Sequence, residues 1–358
     1  MNLRTQADPI LECIGVDAGG ARARPLPQRL PRSAMLAAAL FAAFCTAAAA
    51  SSAAWAQTSY PSRPIRLIVG FAAGSTSDMA GRTVAELMSR SLGQPIVVEN
   101  RPGAGGNIAA EAVAKAVPDG YTLLLGTGSL STSVGLRPDA KFQPVRDLEP
   151  IVQLVSTPLA LTVSDKAPFK DFAGLLKEAK ARPGEINYGS TGVGGTTHLS
   201  MELISQRVGI RMNHVPYNGS SQALTGLLSG STLVQLDSVL SAKQAVATGH
   251  VRAMAVSGSQ RSPVLPDAPT FVELGWPNLD WRITVAAILA PKGVAPEILE
   301  LLNRQANQAL QTPEVKSRLA DQGGLTLVGG TRADYARALD EETRTWVDVV
   351  RTAGIKVD

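Results

Sequence analysis

The fold of this chain is decided by the stretch IRLIVGFAAGSTSDMAGRTVAELM, residues 65–88. Its first five residues are mostly apolar and are bounded by turn residues, which is typical of a short buried strand. A loop rich in Gly, Ser and Thr follows, and apolar residues then recur at helical spacing at Ala80, Val84, Leu87 and Met88. The stretch therefore predicts a strand, a loop of glycines and hydroxyls, and a helix.

A second stretch of the same design, INYGSTGVGGTTHLSMELISQR, occupies residues 186–207. We interpret the likeness as architectural and not as a sequence repeat. Between and beyond the two stretches, segments of strand type alternate with segments of helix type, which favours parallel sheets covered on both faces. The remaining predicted strands are 95–99, 121–126, 159–163, 215, 233–236 and 253–256, and the remaining predicted helices are 109–117, 172–181, 296–310 and 332–353.

The two glycine loops predict an anion site. In parallel sheets, ligands bind beyond the carboxyl ends of strands, where helices begin with unpaired N–H groups and a positive dipole end. Glycine lets the backbone come close, and a carboxylate is a natural guest. An alternative stays open, because Ser, Thr and Asp also favour helix starts as N-caps without any ligand. We favour that structural role for the Asp78 side chain and for Asn107. For Arg101, a surface or lobe-packing role is favoured over an anion contact.

The segment before residue 57 predicts export. Four arginines between residues 22 and 32 precede an alanine-rich apolar run from Ala34 to Ala50, and Ala54-Trp55-Ala56 then offers a small-x-small cleavage site. The run is shorter than the roughly 20 residues of a membrane span. We therefore expect a periplasmic protein with its signal peptide cleaved after about Ala56, and lipidation of Cys45 is disfavoured by the bulky Phe44 before it.

Composition excludes several functions. The only two cysteines, Cys13 and Cys45, precede the expected cut, so thiolate chemistry and disulfides are not expected beyond it. The chain has 34 Lys and Arg against 30 Asp and Glu, with no basic stripe of interleaved aromatics, so no nucleic acid partner is expected. The roughly 300 residues after the cut are long enough to favour two lobes over one.

Enzyme and cofactor signatures are missing from the sequence. Neither Gly103-x-Gly105 nor Gly192-x-Gly194 continues to the third glycine of a dinucleotide fingerprint, and there is no Gly-x-Ser-x-Gly elbow or phosphate-loop lysine. The three histidines are far apart in sequence, without acidic or thiol neighbours at ligand spacing, so no metal site is expected. His198 is the one histidine we place beside the site, with a packing or capping role preferred.

At these residues the sequence resembles the extracytoplasmic solute receptors of tripartite tricarboxylate transporters, the Bug-type receptors. Five ordered matches carry the resemblance from Tyr60 to the C-terminus. They are VGFAAGSTSD (69–78), GQPIVVENRPGAGG (93–106), NYGSTG with THL (187–192 and 197–199), HVPYNG (214–219) and LAPKGVAP (289–296).

The resemblance implies an α/β, two-lobed periplasmic-binding-protein fold (type II-like), each lobe a mostly parallel sheet flanked by helices, with the ligand cleft between the lobes. Lobe 1 would hold residues 57–157 plus 282–358, and lobe 2 residues 158–281. The ligand-binding residues implied by the family are Phe71, Ala73, Gly74, Ser75, Thr76, Asp78, Thr127, Gly128, Ser129, Ser190, Thr191, Thr196, Tyr217 and Asp237. The sequence departs from the family at Gly70, where proline is usual, and at Ser75 and Thr76, where glycine and proline are common.

The function implied is a periplasmic receptor, monomeric and without cofactor or metal, that captures a small carboxylate-bearing metabolite for the membrane permease subunits of a tripartite transporter. The ligand class stays open among dicarboxylates, tricarboxylates, aromatic carboxylates and acidic amino acids. An alternative is a periplasmic sensor that docks on a signalling partner. A hydrolase is less favoured, since no recognised motif supplies an activated nucleophile beside a base.

Overall fold

The computed structural model of the protein describes residues 60–356. The expected signal peptide, its cleavage after Ala56 and the two cysteines lie outside these residues. No helix between residues 60 and 356 is both long enough and apolar enough to cross a membrane.

The described residues form eleven strands. They are β1 (Ile65–Val69), β2 (Ile96–Asn100), β3 (Thr122–Gly126), β4 (Leu148–Thr157), β5 (Leu159–Ser164), β6 (Asn187–Ser190), β7 (Asn213–Pro216), β8 (Val234–Ser238), β9 (Val251–Val256), β10 (Ile283–Pro291) and β11 (Thr326–Gly329).

Eleven α-helices and three further helical pieces connect the strands within the same residues. The α-helices are α1 (Thr76–Leu92), α2 (Asn107–Ala114), α3 (Ser129–Leu136), α4 (Pro144–Asp147), α5 (Phe172–Ala181), α6 (Thr196–Val208), α7 (Ser220–Ser229), α8 (Val239–Ala247), α9 (Pro296–Leu310), α10 (Pro313–Val315) and α11 (Arg332–Ala353). The further pieces are 3₁₀ turns at Ala104–Gly106 and Pro277–Leu279 and a π-helical turn at Lys316–Asp321.

The strands form two sheets, each flanked by helices. The six-stranded sheet has the order β11-β4-β10-β3-β1-β2 and builds the larger lobe, and the five-stranded sheet has the order β7-β6-β8-β5-β9 and builds the smaller lobe. The two-lobed α/β fold is thus as expected, but the sheets are mixed and not mostly parallel. Parallel pairing is confined to β2-β1-β3 and to β7-β6-β8, while β4, β5, β9, β10 and β11 pair antiparallel.

The chain changes sheet at two places. It leaves the six-stranded sheet at Thr157, the end of β4, and enters the five-stranded sheet at Leu159 across the single residue Pro158. It returns after β9 and enters β10 at Ile283. The long strands β4 and β10 pair over their whole lengths, and this antiparallel pair lies where the chain passes between the lobes. Strand β10 enters from the smaller lobe and not through a helix crossover from a neighbouring strand, which permits its antiparallel direction.

An apolar cluster joins the lobes on the side of the C-terminal helix. Trp346 and Val349 of α11 pack with Leu199 and Leu203 of α6, and all four side chains are buried. The side-chain amide of Gln206 also donates to the carbonyl of Val349 at 3.2 Å. Helix α6, whose first turn faces the cleft, is thereby fixed against the larger lobe.

Candidate functional site

The cleft in the larger lobe is built where three parallel strands end. Val69 of β1 is in register with Asn100 of β2 and Leu125 of β3, so the loops that follow these strands emerge side by side. Gly70 and Gly106 bring two of the loops into direct contact, because a side chain on Gly70 would lie 2.5 Å from the Gly106 Cα. Only glycine at residue 70 permits this approach.

The first glycine loop is held by its own side chains. Ser75 caps α1 by accepting from the N–H of Asp78 at 3.3 Å. The Asp78 carboxylate is buried and accepts from the N–H of Gly74 at 2.9 Å, Nδ2 of Asn100 at 2.8 Å and Nε of Arg82 at 3.0 Å. Burial alone would raise the pKa of Asp78, but these hydrogen bonds lower it below its usual range. The Asp78 side chain thus shapes the loop, in keeping with its favoured structural role.

The other predicted residues of this loop are arranged around that frame. The Phe71 ring packs over Gly106, whose added side chain would lie 3.3 Å from the ring, and the Phe71 carbonyl accepts from Asn100. Ala73, Gly74 and Thr76 are exposed at the loop surface.

The third loop of the larger lobe starts helix α3. The hydroxyls of Thr127 and Ser129 lie 2.8 Å apart, and Ser129 donates to the Gly105 carbonyl at 2.6 Å. The N–H of Gly128 donates to the Thr284 carbonyl at 2.8 Å. This loop is therefore tied both to the 103–106 turn and to strand β10.

The loop after β6 supplies the smaller lobe's side of the cleft. The N–H of Thr191 donates to the Thr197 hydroxyl at 3.0 Å, and the N–H of Gly194 donates to Nδ1 of His198 at 3.0 Å. Because Nδ1 accepts, neutral His198 carries its proton on Nε2. These bonds fold residues 191–195 back onto the first turn of α6, so His198 has a capping role at the cleft.

Sequence separation gave no sign that two histidines meet behind this loop. The rings of His198 and His214 stack with centroids 3.7 Å apart, and His214 also stacks on Tyr188 at 5.0 Å. His214 Nε2 lies 2.6 Å from the hydroxyl of buried Ser190. Burial lowers the pKa of both histidines to about 4, and for His198 the neighbouring His214 adds to the effect. Among residues 60–356 no group of three or more His, Cys, Asp or Glu is arranged to hold a metal ion.

Tyr217 and Asp237 lie within the smaller lobe. The Tyr217 ring lies on Gly226, where an added side chain would come within 2.2 Å of its hydroxyl. Asp237 is buried and lines a separate cavity of about 60 Å³ with Ser220 and Ser241. Burial raises the pKa of Asp237, although hydrogen bonds from Ser220, the Ser238 N–H, Gln235 and Ser241 oppose the rise.

A cavity of about 360 Å³ lies between the loops of the two lobes. Of the residues predicted from sequence, Ser129 and Thr196 line it. The larger lobe contributes Ala104, Gly105, Asn107, Ser129, Thr132, Ser133, Leu136 and Arg137, and the smaller lobe contributes Val193, Gly194, Gly195 and Thr196.

One face of α3 forms a whole wall of this cavity. Of the residues on this face, only Ser129 was predicted from the sequence as a ligand contact. Its lining residues are 129, 132, 133, 136 and 137, the spacing of one helix face. The sequence SLSTSVGLR after Gly128 carries this spacing, but the helix is short and was not predicted, and only Ser129 at its start was named as a ligand-binding residue. No carboxylate is among the lining residues, and Arg137 is their one charged side chain.

Comparisons with known proteins found relatives in both sequence and overall structure. A family model described as the tripartite tricarboxylate transporter family receptor matches residues 80–355. Protein BugT of Bordetella pertussis is 38% identical over 304 residues, which cover 83% of this chain and 91% of BugT.

Two solved structures from Rhodopseudomonas palustris are similar over nearly their whole lengths. Rpa4515 with adipate is 33% identical, with a TM-score of 0.69, and the match covers 83% of this chain and 99% of that one. MatC with bound malate is 32% identical, with a TM-score of 0.66, and the match covers 81% of this chain and 100% of that one.

Proposed function

Since the chain belongs to the tripartite tricarboxylate transporter receptor family, whose members are periplasmic solute-binding receptors and not enzymes, we propose that it captures a small carboxylate-bearing metabolite and delivers it to the membrane permease subunits of such a transporter. The metabolite would bind in the cavity between the lobes. We propose the lobes as residues 57–157 with 282–358 and residues 158–281.

The observation that carries this proposal is the character of the cavity. Its lining combines backbone at glycines, helix starts and hydroxyl side chains with one cation, and includes no carboxylate. The first N–H groups of α6 have no partner inside the helix and form the positive end of its dipole. Such a surface favours an anionic guest, and the related structures with adipate and malate support a carboxylate.

We propose that the glycine loops grip the ligand mainly through backbone N–H groups. In the larger lobe these are the loop 127–129, of which Ser129 lines the cavity, and the loop 71–76, which adjoins the cavity through the contact of Phe71 with Gly106. In the smaller lobe it is the loop 190–196, of which residues 193–196 line the cavity. Carboxylates that accept several backbone hydrogen bonds in a closed, water-poor cleft are held more strongly than in open solvent. Tyr217 and Asp237 would act from behind, by shaping the smaller lobe's loops.

A thermal-shift screen against mono-, di- and tricarboxylates tests the proposal. A ligand that binds only the folded protein stabilises it by about 2.7 kcal/mol at a hundredfold excess over Kd, which raises the melting temperature visibly. We expect a concentration-dependent shift from one carboxylate class. A flat response from folded protein that mass spectrometry finds free of carried-over ligand would contradict the proposal.

A matched pair of variants locates the binding. Ser133 lines the cavity and donates its hydroxyl to the carbonyl three residues earlier, and Ser91 on α1 makes the same bond outside the cavity. We expect Ser133→Trp to fill the cavity and abolish the ligand-induced shift, and Ser91→Trp to leave it unchanged. Equal losses in both variants would mean that the ligand binds elsewhere.

Two further measurements address export and delivery. The intact mass of protein recovered from the periplasm should correspond to a chain that begins at Gln57. Deletion of the gene should abolish uptake of the identified carboxylate, and reintroduction of the full-length wild-type gene should restore it. If the purified protein binds the carboxylate but the deletion strain takes it up normally, a sensor that docks on a signalling partner would be favoured instead.

A further inference from the structure

Arg137 occupies a particular position in the cavity. It directly follows α3, whose cavity-lining face runs from Ser129 to Leu136. The eight residues of this helix span about 12 Å. The cavity wall therefore extends from the start of α3, beside the glycine loops, to Arg137 at its far end.

The backbone of Arg137 is fixed while its guanidinium is free. Its N–H donates to the Ser133 carbonyl at 2.9 Å, and its carbonyl accepts from the Ala140 N–H at 3.1 Å. The side chain is exposed and makes no ion pair with any residue from 60 to 356. An arginine stays charged at all physiological pH values, so an uncompensated positive charge is anchored at this end of the cavity.

The hydroxyls along the wall do not supply a second anion contact. Ser129 donates to the Gly105 carbonyl, Thr132 to the Ser129 carbonyl and Ser133 to the Leu130 carbonyl. Each hydroxyl has one proton, so none of the three donates to a ligand in this arrangement. Leu136 and Val193 add apolar lining.

We propose that Arg137 makes the cavity selective for a dicarboxylate by binding the carboxylate that the glycine loops do not hold. This rests on the proposed function, in which one carboxylate lies against the loops. The planar guanidinium matches a carboxylate with two parallel hydrogen bonds, which a lysine or an amide does not reproduce. A ligand with one carboxylate would leave the guanidinium without a partner and gain nothing from it.

Titration calorimetry with paired ligands tests the inference. Each of succinate, malate, adipate and phthalate is compared with its own monomethyl ester or monoamide, which keeps the shape and removes one charge. In the wild-type protein we expect the best diacid to bind about 10- to 100-fold more tightly than its monoester, as for one charge-assisted contact. Arg137→Gln should remove most of this ratio while the monoester affinity stays within about threefold, and Arg137→Lys should restore part of it.

Arg304 on α9 provides the control, since it is exposed, forms no ion pair with residues 60–356 and does not line the cavity. Arg304→Gln should leave the diacid-to-monoester ratio unchanged. A wild-type protein that binds a diacid and its monoester equally, or an Arg137→Gln variant that keeps the ratio, overturns the role of Arg137 and leaves the receptor function standing. Absence of binding by every carboxylate tested overturns the receptor function itself.

Discussion

The two lobes support their cleft loops on titratable groups of opposite kind. In the larger lobe the Glu342 carboxylate lies under the 127–129 loop, where a side chain on Gly128 would come within 2.9 Å of its Oε1. In the smaller lobe the stacked rings of His198 and His214 lie behind the 190–196 loop. Burial raises the pKa of Glu342 to about 7 and lowers the pKa of each histidine to about 4.

In both lobes burial therefore favours the uncharged form of the supporting side chain. Their contributions to the free energy of unfolding nevertheless change with pH in opposite directions. Between pH 4.5 and about 7 the folded protein holds a proton on Glu342 that the unfolded chain has released, so this group's stabilisation is lost as pH rises. Between about pH 4 and 6.5 the unfolded chain holds protons on the histidines that the folded protein excludes, so their contribution rises with pH. Under the proposed function, attraction of an anion to the cleft would therefore come from backbone N–H groups and from Arg137, and not from these three supporting side chains.

Breaking the contact that joins the lobes has the largest expected effect. Trp346 is almost fully buried against α6, so Trp346→Ala should lower the free energy of unfolding by about 3–5 kcal/mol. The measurement is urea unfolding monitored by circular dichroism and by tryptophan fluorescence.

The adjacent Val347 is exposed and serves as control. Val347→Ala should change stability by less than about 0.5 kcal/mol. If Trp346→Ala is no more destabilising than Val347→Ala, then α11 and α6 are not coupled through this cluster, and the pH responses of the lobes should be analysed as separate transitions.

Removing the histidines tests the smaller lobe's half of the comparison. In the wild type, the two histidines should raise the free energy of unfolding between pH 4 and 6.5 by at most about 2.7 kcal/mol per pH unit, the limit for two protons. The double variant His198→Asn with His214→Gln should lack this rise. The asparagine oxygen can still accept from Gly194, so the loop keeps its bond. Urea midpoints measured across this pH range check the slope.

His198→Ala separates titration from support of the loop. It removes the acceptor of the Gly194 N–H as well as the proton site, so it should be less stable than His198→Asn at pH 7 by about 1 kcal/mol. Equal stability of the two variants would show that the Gly194 bond does not hold the loop, and an unchanged pH slope in the double variant would show that the histidines are not the source.

The sequence predicted those elements whose pattern is local. Strand β1, its glycine loop and helix α1 follow directly from residues 65–88, and helices α5, α6, α9 and α11 match their predicted spans within one residue at either end. Strands β4, β10 and β11 were not predicted, because β4 and β10 are buried at most of their residues and lack clean alternation, and β11 has only four residues. This omission also made the sheets look mostly parallel.

The site was predicted only in part for a similar reason. Glycine loops are visible in sequence, but the meeting of His198 with His214 and of Glu342 with Gly128 depends on residues brought together from distant positions. Arg137 was missed because a lone arginine before a proline is indistinguishable from a surface residue until the α3 face is seen to line the cavity.

The larger lobe's half of the comparison is tested by Glu342→Gln, with the smallest expected effect. Glu342 accepts from the Thr284 hydroxyl at 3.1 Å, and glutamine offers an oxygen at nearly the same place without a titrating proton. In the wild type, Glu342 should lower the free energy of unfolding between pH 4.5 and 7 by at most about 1.4 kcal/mol per pH unit. The variant should not show this decline. The variant should also equal or exceed the wild type above pH 7, where the wild type carries a half-buried charge.

The control is Glu341→Gln on the same helix, whose side chain is exposed and should leave the pH slope unchanged. Urea unfolding of both variants at pH 5, 6, 7 and 8 distinguishes the two positions. If Glu342→Gln is instead less stable than the wild type above pH 7, then the Glu342 carboxylate is held in its charged form, and the larger lobe does place a permanent negative charge beneath its cleft loop.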